Sequence, residues 1–263
     1  MHFGMPTLIE LDKLDKCAAL CRKLGLQFIE INMNLPEYQL DKIDVLKFKE
    51  IANKYSIYYT LHLDENLNAF DFNAYVAEAY QNTVLSSIKI AKSLDIPILN
   101  MHMAKGVYFT LPDRKVYLFD KYRDLYLQNL TAFRKITDET IGGSNIKLCV
   151  ENGGAYQDFQ KEGVDLLLQS TSFSLTYDIG HAACNQAEMD KFISKHNNRL
   201  AHMHIHDAVQ VNKSDHLPLG MGGLDLPKYF EMAAFNNCRV VLETKTVEGL
   251  RQSVEWAKEK RYF

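Results

Sequence analysis

Eight short apolar runs alternate with stretches of helical period along this chain, and no other feature limits its fold as strongly. The runs read HFGM, FIEIN, IYYTLHL, ILNMHM, KLCVE, FSLTYD, LAHMHIH and RVVLE. Runs this short, rich in β-branched and aromatic residues, suit strands buried on both faces of a parallel sheet. Between them the pattern predicts a helix ending at Leu24, then helices over about 44–55, 73–94, 121–137, 164–170, 189–197, 227–236 and 247–260. Thr7 and Glu10 have the spacing of a capping box that would open the first helix, and Gly25 is placed for the left-handed position that closes it.

Strand–helix units of roughly 33 residues fit an α/β protein of the (β/α)8 TIM-barrel class. The expectation is a single domain over residues 1–263, since no linker or low-complexity tract divides the chain. The rival is a doubly wound open sheet, but no Gly-rich nucleotide loop follows the first run. Two connections are long, 104–120 with Tyr108, Phe109, Tyr117 and Phe119, and 207–225 with His216 and the segment GMGG. Both would lie at the C-terminal face of the barrel, where active sites of this fold form, as a lid or a substrate wall.

Six of the runs finish on or beside a residue that can bind a metal: His62, His102, Glu151, Asp178, His204 and Glu243. One polar strand end means little, whereas six in register describe one polar centre at one rim. Ligands of this kind suit zinc, manganese or iron. Residues two apart share a side of a strand, so Thr60 pairs with His62, Asn100 with His102, and Thr176 with Asp178. His202, His204 and His206 all face one way, and three imidazoles are costly to bury without partners. Glu151, Asp178, His204 and Glu243 make a four-ligand set, with His204 as the imidazole ligand. His206 is assigned to the surrounding layer or to substrate, and His202 to a hydrogen-bonded core position. His181 follows Asp178 closely enough to return over the mouth, where it and His216 would hold a further ion or touch substrate. Glu30 and Asn32 end the second run and would reach substrate hydroxyls or orient a ligand. Lys245, Lys105, Arg114 and Lys213 are the cations near the mouth, any of which would suit a phosphate or carboxylate oxygen.

The net charge of −3 gives no global attraction for nucleic acid or an acidic membrane, although it leaves a local basic groove open. MHFGMPTLIE does not read as a signal peptide, and no run is long enough to cross a membrane. The five cysteines are scattered without a CxxC pair, which points to a reducing cytoplasm and to no disulfide framework. Cys17 and Cys21 share a helix face suited to core packing. An outer helix face could support a homodimer.

The segments IEI (29–31), LHL (61–63), NMHM (100–103), VEN (150–152), YDIGHA (177–182), HMHIHDA (202–208), DHLPLGMG (215–222) and VLET (241–244) together resemble the xylose-isomerase-like TIM-barrel superfamily, across essentially the whole chain. That group holds sugar isomerases, sugar and sugar-phosphate epimerases and apurinic endonuclease IV. The resemblance implies one divalent ion on Glu151, Asp178, His204 and Glu243, polarising a carbonyl of an open-chain sugar while carboxylates move the neighbouring proton. Ketose 3-epimerases place a second catalytic glutamate six residues after the first metal glutamate; here that position is Gln157.

The endonuclease side of the group implies up to three zinc ions on positions resembling His62, His102, Glu151, Asp178, His181, His204, His216 and Glu243. Its remaining aspartate falls on Ser214, with Asp215 adjacent, and LDEN follows His62 in place of a small-Pro-Tyr pattern. The expected function is therefore a divalent-metal-dependent isomerase or epimerase of a small sugar, polyol or sugar phosphate. Glu151, Glu243 and His181 are the catalytic candidates, and Glu30, His62, His102, His206, His216 and Lys245 the substrate contacts. The alternatives are a multi-zinc phosphodiesterase and a barrel that binds a metabolite without turnover.

Overall fold

The computed structural model describes residues 1–209 and 214–263. Among them eight parallel strands close into a barrel: β1 (His2–Pro6), β2 (Phe28–Asn32), β3 (Tyr58–His62), β4 (Ile98–His102), β5 (Lys147–Glu151), β6 (Phe173–Asp178), β7 (Leu200–Ile205) and β8 (Arg239–Leu242). Neighbours follow chain order, and β1 meets β8 to close the ring. The helices between them are α1 (Leu14–Leu24), α2 (Val45–Tyr55), α3 (Ala74–Ser93), α4 (Arg123–Ile141), α5 (Asp158–Leu167), α6 (Gln186–Lys195), α7 (Leu226–Phe235) and α8 (Val247–Glu259).

Alternation along each strand sorts the side chains. Ile29, Leu61, Leu99, Val150, Leu175, Met203 and Leu242 are buried on one side, where a TIM barrel packs its helices. The other side of the same strands carries Glu30, Thr60, Asn100, Cys149, Thr176 and His202, all buried. One step higher stand His62, Glu151, Asp178, His204 and Glu243. Register fixes this upper tier, since His102 is paired with Glu151 and Asp178 with His204. Gly4 leaves room for the Phe28 ring, for a Cβ there would lie 2.4 Å from Phe28 Cε2.

Two expectations need correction. Thr7 and Glu10 do not cap α1, which starts at Leu14 behind an uncapped Lys13. The Thr7 hydroxyl accepts instead from the Asn32 amide at 3.0 Å, and Glu10 accepts from the Val247 amide. Gly25 does close α1 in the left-handed region, at φ 84°. The helix expected over 164–170 runs from Asp158, because Gln157 and Gln160 form a reciprocal cap that neither Ser nor Thr announces. The two long connections each fold a small hairpin, Tyr108–Thr110 against Lys115–Tyr117 and Asp207–Val209 against Ser214–Leu217. Cys17 and Cys21 are buried, and none of the five cysteines is paired. No described helix is long and apolar enough to cross a membrane.

Candidate metal centre

The centre is organised around Nδ1 of His204, at the top of β7. Glu151 Oε1 from β5 and Glu243 Oε2 from the end of β8 each lie 3.1 Å from it, and Asp178 Oδ2 from β6 lies 3.8 Å away. Those are the spacings of neighbouring ligands around one cation: bonds of about 2.1 Å at right angles place their donors about 3.0 Å apart. All four side chains are buried. Glu243 Oε2 has no hydrogen-bond donor, so a buried carboxylate oxygen is left facing the centre. The donor set is thus three carboxylates and one imidazole, which suits a borderline-hard divalent ion.

A second group gathers on the other oxygen of Glu151. His62 Nε2 and His102 Nε2 approach Oε2 at 3.3 and 3.2 Å, and Asn100 Nδ2 donates to the same atom. His62 Nδ1 lies 2.8 Å from the carbonyl of Leu63, which requires the ring hydrogen on Nδ1. Its Nε2 is therefore the nitrogen presented to the centre when the ring is neutral.

A third group covers the mouth. His181 Nδ1 lies 3.4 Å from Asp178 Oδ2 and 3.6 Å from Glu151 Oε1. His216, at φ 54° in the left-handed region, places Nε2 3.6 Å from Glu243 Oε1 and Nδ1 2.9 Å from Asp215 Oδ1. Lys245 donates to Glu243 Oε1 at 2.8 Å while its side chain stays half exposed. His206 lies beneath, stacked on His216 with centroids 4.2 Å apart.

Charge holds this assembly together. Burial pushes Glu151 and Glu243 toward the neutral acid, but His204, with His102 at Glu151, outweighs it and holds both carboxyls well below the usual range. Burial likewise opposes protonation of His62 and His181, yet Glu151 carries His62 up to about 9, and Asp178 with Glu151 carries His181 up to about 10. His202 lies deeper and burial prevails there, so its pKa falls to about 4. It occupies the core position expected of it, 3.2 Å from the Thr176 hydroxyl and 3.3 Å from Glu30.

The structure brings Glu151, Asp178, His204, Glu243, His62, His102, His181, His206, His216 and Lys245 to one rim. Glu30 lies a tier lower, buried, with Oε1 2.8 Å from His204 Nε2 and Oε2 accepting from Thr60, so it stands behind the His204 ring. Asn32 caps the turn at Asn34, accepting from its backbone and side chain. Lys105 reaches the Gly153 carbonyl at 3.1 Å, and Arg114 turns to Asp113 in the exposed hairpin. Lys213 lies outside the described residues. Gln157 is an exposed helix cap. Two organising residues escaped the sequence reading. Asn152 locks β6 by accepting from the Asp178 amide at 2.9 Å and donating to its carbonyl at 2.8 Å. The Asp207 carboxylate gathers the loop after the second hairpin. The one signal for Asn152 was an amide directly after a strand-end glutamate; Asp207 had none.

The profile of the family described as Xylose isomerase-like TIM barrel matches residues 18–260. No curated protein matches in sequence. Among solved structures, a D-tagatose 3-epimerase-like protein superposes with a TM-score of 0.78 at 22% identity, over 98% of this chain and 96% of the other. The 3-keto-D-glucoside 4-epimerase YcjR from E. coli gives 0.76 at 15% identity, over 98% and 99%. An IolI protein described with a bound zinc atom gives 0.73 at 15% identity, over 100% and 99%. At these identities the likeness establishes the fold.

Proposed function

We propose, since the chain belongs to the xylose isomerase-like TIM-barrel family, that it is a divalent-metal-dependent isomerase or epimerase of a small sugar, polyol or sugar phosphate. The observation that carries this reading is the convergence of Glu151, Asp178 and Glu243 oxygens on His204 Nδ1. A divalent ion there would polarise a substrate carbonyl and its neighbouring hydroxyl, making the adjacent C–H acidic. The described structures of a tagatose 3-epimerase-like protein, a keto-glucoside 4-epimerase and a zinc-bound IolI protein support the same chemistry class.

The chain's own groups would then handle the proton. Glu243 and Glu151 stand on strands separated by β6 and β7, so they flank the centre from two sides. Each is held ionised, as a general base requires. We assign Glu243 as the base and Glu151 as its counterpart across the substrate. His181, half-buried at the mouth, is the donor for a substrate oxygen. Lys245 neutralises Glu243 while the site is empty of substrate and contacts substrate oxygens once it is filled. Gln157 has no part in the reaction, because it caps a helix in solvent. Incubation of Mn²⁺- or Zn²⁺-loaded protein with ketoses and ketose phosphates in D2O tests the reading. Deuterium should enter the carbon next to the carbonyl, and no exchange across the set would overturn it.

A second reading rests on the groups around Glu151 Oε2 and at His216. With His62, His102, His181 and Asp215 they offer positions for further ions, the arrangement of a multi-zinc phosphodiesterase. Cleavage of abasic duplex DNA that disappears in His102→Ala would favour it.

A further inference from the structure

Asp178, His206, His216 and Glu243 each offer one atom within 4.8 Å of the others, so distance alone would make His206 another ligand. Its hydrogen bonds say otherwise. The backbone N–H of His216 points at His206 Nδ1 from 2.8 Å. A backbone N–H can only donate, so Nδ1 must offer its lone pair. The opposite tautomer would use Nδ1–H for the longer 3.3 Å contact to the Asp207 carbonyl. It would also press two N–H groups together and turn the bare Nε2 lone pair against Asp178 Oδ1 and Oδ2, at 3.2 and 3.3 Å. Both faults vanish with the hydrogen on Nε2.

We propose that His206 is a positioning residue, an imidazole with its hydrogen on Nε2 that donates to the Asp178 carboxylate and is not itself a metal ligand. The proposal rests on Asp178 being a ligand, as in the function proposed above. Asp178 Oδ1 already accepts from the His181 amide at 2.6 Å. His206 Nε2 straddles Oδ1 and Oδ2, so with the His181 amide it holds the carboxylate in an orientation that turns Oδ2 toward His204 Nδ1. The neighbourhood is built to keep the ring in place. It is fully buried and stacked flat on His216, with an interplanar angle of 8°. Gly180 makes the space, since a Cβ there would lie 1.8 Å from His206 Cε1. Gly180 is absent from the residues with positive φ, so close approach and not backbone conformation demands glycine at that position.

Long-range ¹H–¹⁵N correlation on the full chain, with ¹⁵N-labelled histidine, reads the tautomer directly. The His206 ring is identified by its contact to the His216 amide proton. A bare Nδ1 and a protonated Nε2, before and after Zn²⁺ is added, is the expected result. A hydrogen on Nδ1, or an Nε2 that loses its hydrogen when zinc binds, would overturn the proposal. Calorimetric titration with Mn²⁺ gives a second readout. His206→Ala should weaken binding by roughly 10- to 100-fold, as removal of a ligand-orienting partner typically does. His206→Gln, whose amide nitrogen can still donate to Asp178, should recover most of that loss. Equal affinity in wild type and His206→Ala would sink the inference and leave the functional reading standing. A wild type that binds no divalent ion would sink the functional reading, while the metal-free spectrum would still decide the tautomer.

Discussion

His204 and Glu30 form a buried ion pair directly beneath the centre, Nε2 to Oε1 at 2.8 Å. In the metal-free protein the charged ring faces carboxylates on both sides; were a cation to take Nδ1, the one remaining ring hydrogen would sit on Nε2 beside Glu30. A carboxylate behind a ligating imidazole sets the tautomer and raises ligand basicity, and its loss typically lowers metal affinity about 10- to 100-fold. Glu30→Gln should weaken Mn²⁺ or Zn²⁺ binding by that order while leaving the far-UV circular dichroism unchanged. Titration of the two proteins side by side checks it, and equal affinities would remove Glu30 from the site.

Glu243→Gln separates ligand from base. The amide oxygen can still face the ion, but the proton acceptor is gone. At saturating Mn²⁺ the deuterium-exchange rate on a turned-over ketose should fall about a hundred- to ten-thousand-fold. Retained exchange would assign the base elsewhere, with Glu151 the first candidate.

The barrel was legible because strand period, helix period and unit length all agreed, and the polar cluster at one rim because six of the strands end on or beside an imidazole or carboxylate. Element edges were less legible. Gln157 and Gln160 cap α5 by a reciprocal amide pair, whereas the Thr7 and Glu10 spacing that resembled a cap is used for long-range contacts. Function inside the rim was also only half visible. His202, His204 and His206 share a strand face and a residue type, yet one is a core hydrogen-bonder, one faces the centre and one braces Asp178. Depth in the barrel and the partner on the neighbouring strand decide among them, and neither is local in sequence.

The imidazoles make the metal-free protein sensitive to alkali. His62 titrates at about 9 and His181 at about 10, both above the ordinary value of 6.5. A raised folded-state pKa contributes stability that is complete below pH 6.5 and disappears as pH climbs through 9 to 10. Glu151 and Glu243, held low, contribute above their ordinary 4.5 and lose that contribution as acid protonates them. The metal-free chain should therefore melt at a lower temperature at pH 9.5 than at pH 6, while the metal-loaded chain, whose cation replaces the lost positive charge, should show a smaller decline. Metal uptake near pH 7 should release protons, because a ligating imidazole must be neutral. Thermal melts with and without Zn²⁺, and calorimetry in buffers of different ionisation enthalpy, test both statements. An apo protein whose melting temperature is flat from pH 6 to 9.5 would contradict this charge arrangement.

Asp207 offers the plainest separation of scaffold from chemistry. Its buried carboxylate accepts from four backbone amides: Ala208 at 2.9 Å and Leu224 at 3.1 Å on Oδ1, Gly220 at 3.0 Å and Gly222 at 2.9 Å on Oδ2. A side chain at Gly222 would collide with that carboxylate, its Cβ falling 2.3 Å from Oδ1. Four donors on one acceptor group fold the segment 220–224 against the end of β7, just beyond His216. Asp207→Ala leaves those amides without their partner. The expected loss is about 2–4 kcal/mol, less than four full unsatisfied groups because an opened loop admits water. Asp207→Asn keeps one acceptor oxygen and turns an NH2 group against the other pair of amides, so it should fall between. Denaturant melts give the energies, and amide exchange should accelerate at Gly220, Gly222 and Leu224 well before the barrel strands. If exchange at those three amides stays as slow in Asp207→Ala as in the wild type, the loop is held by its apolar contacts and not by this carboxylate.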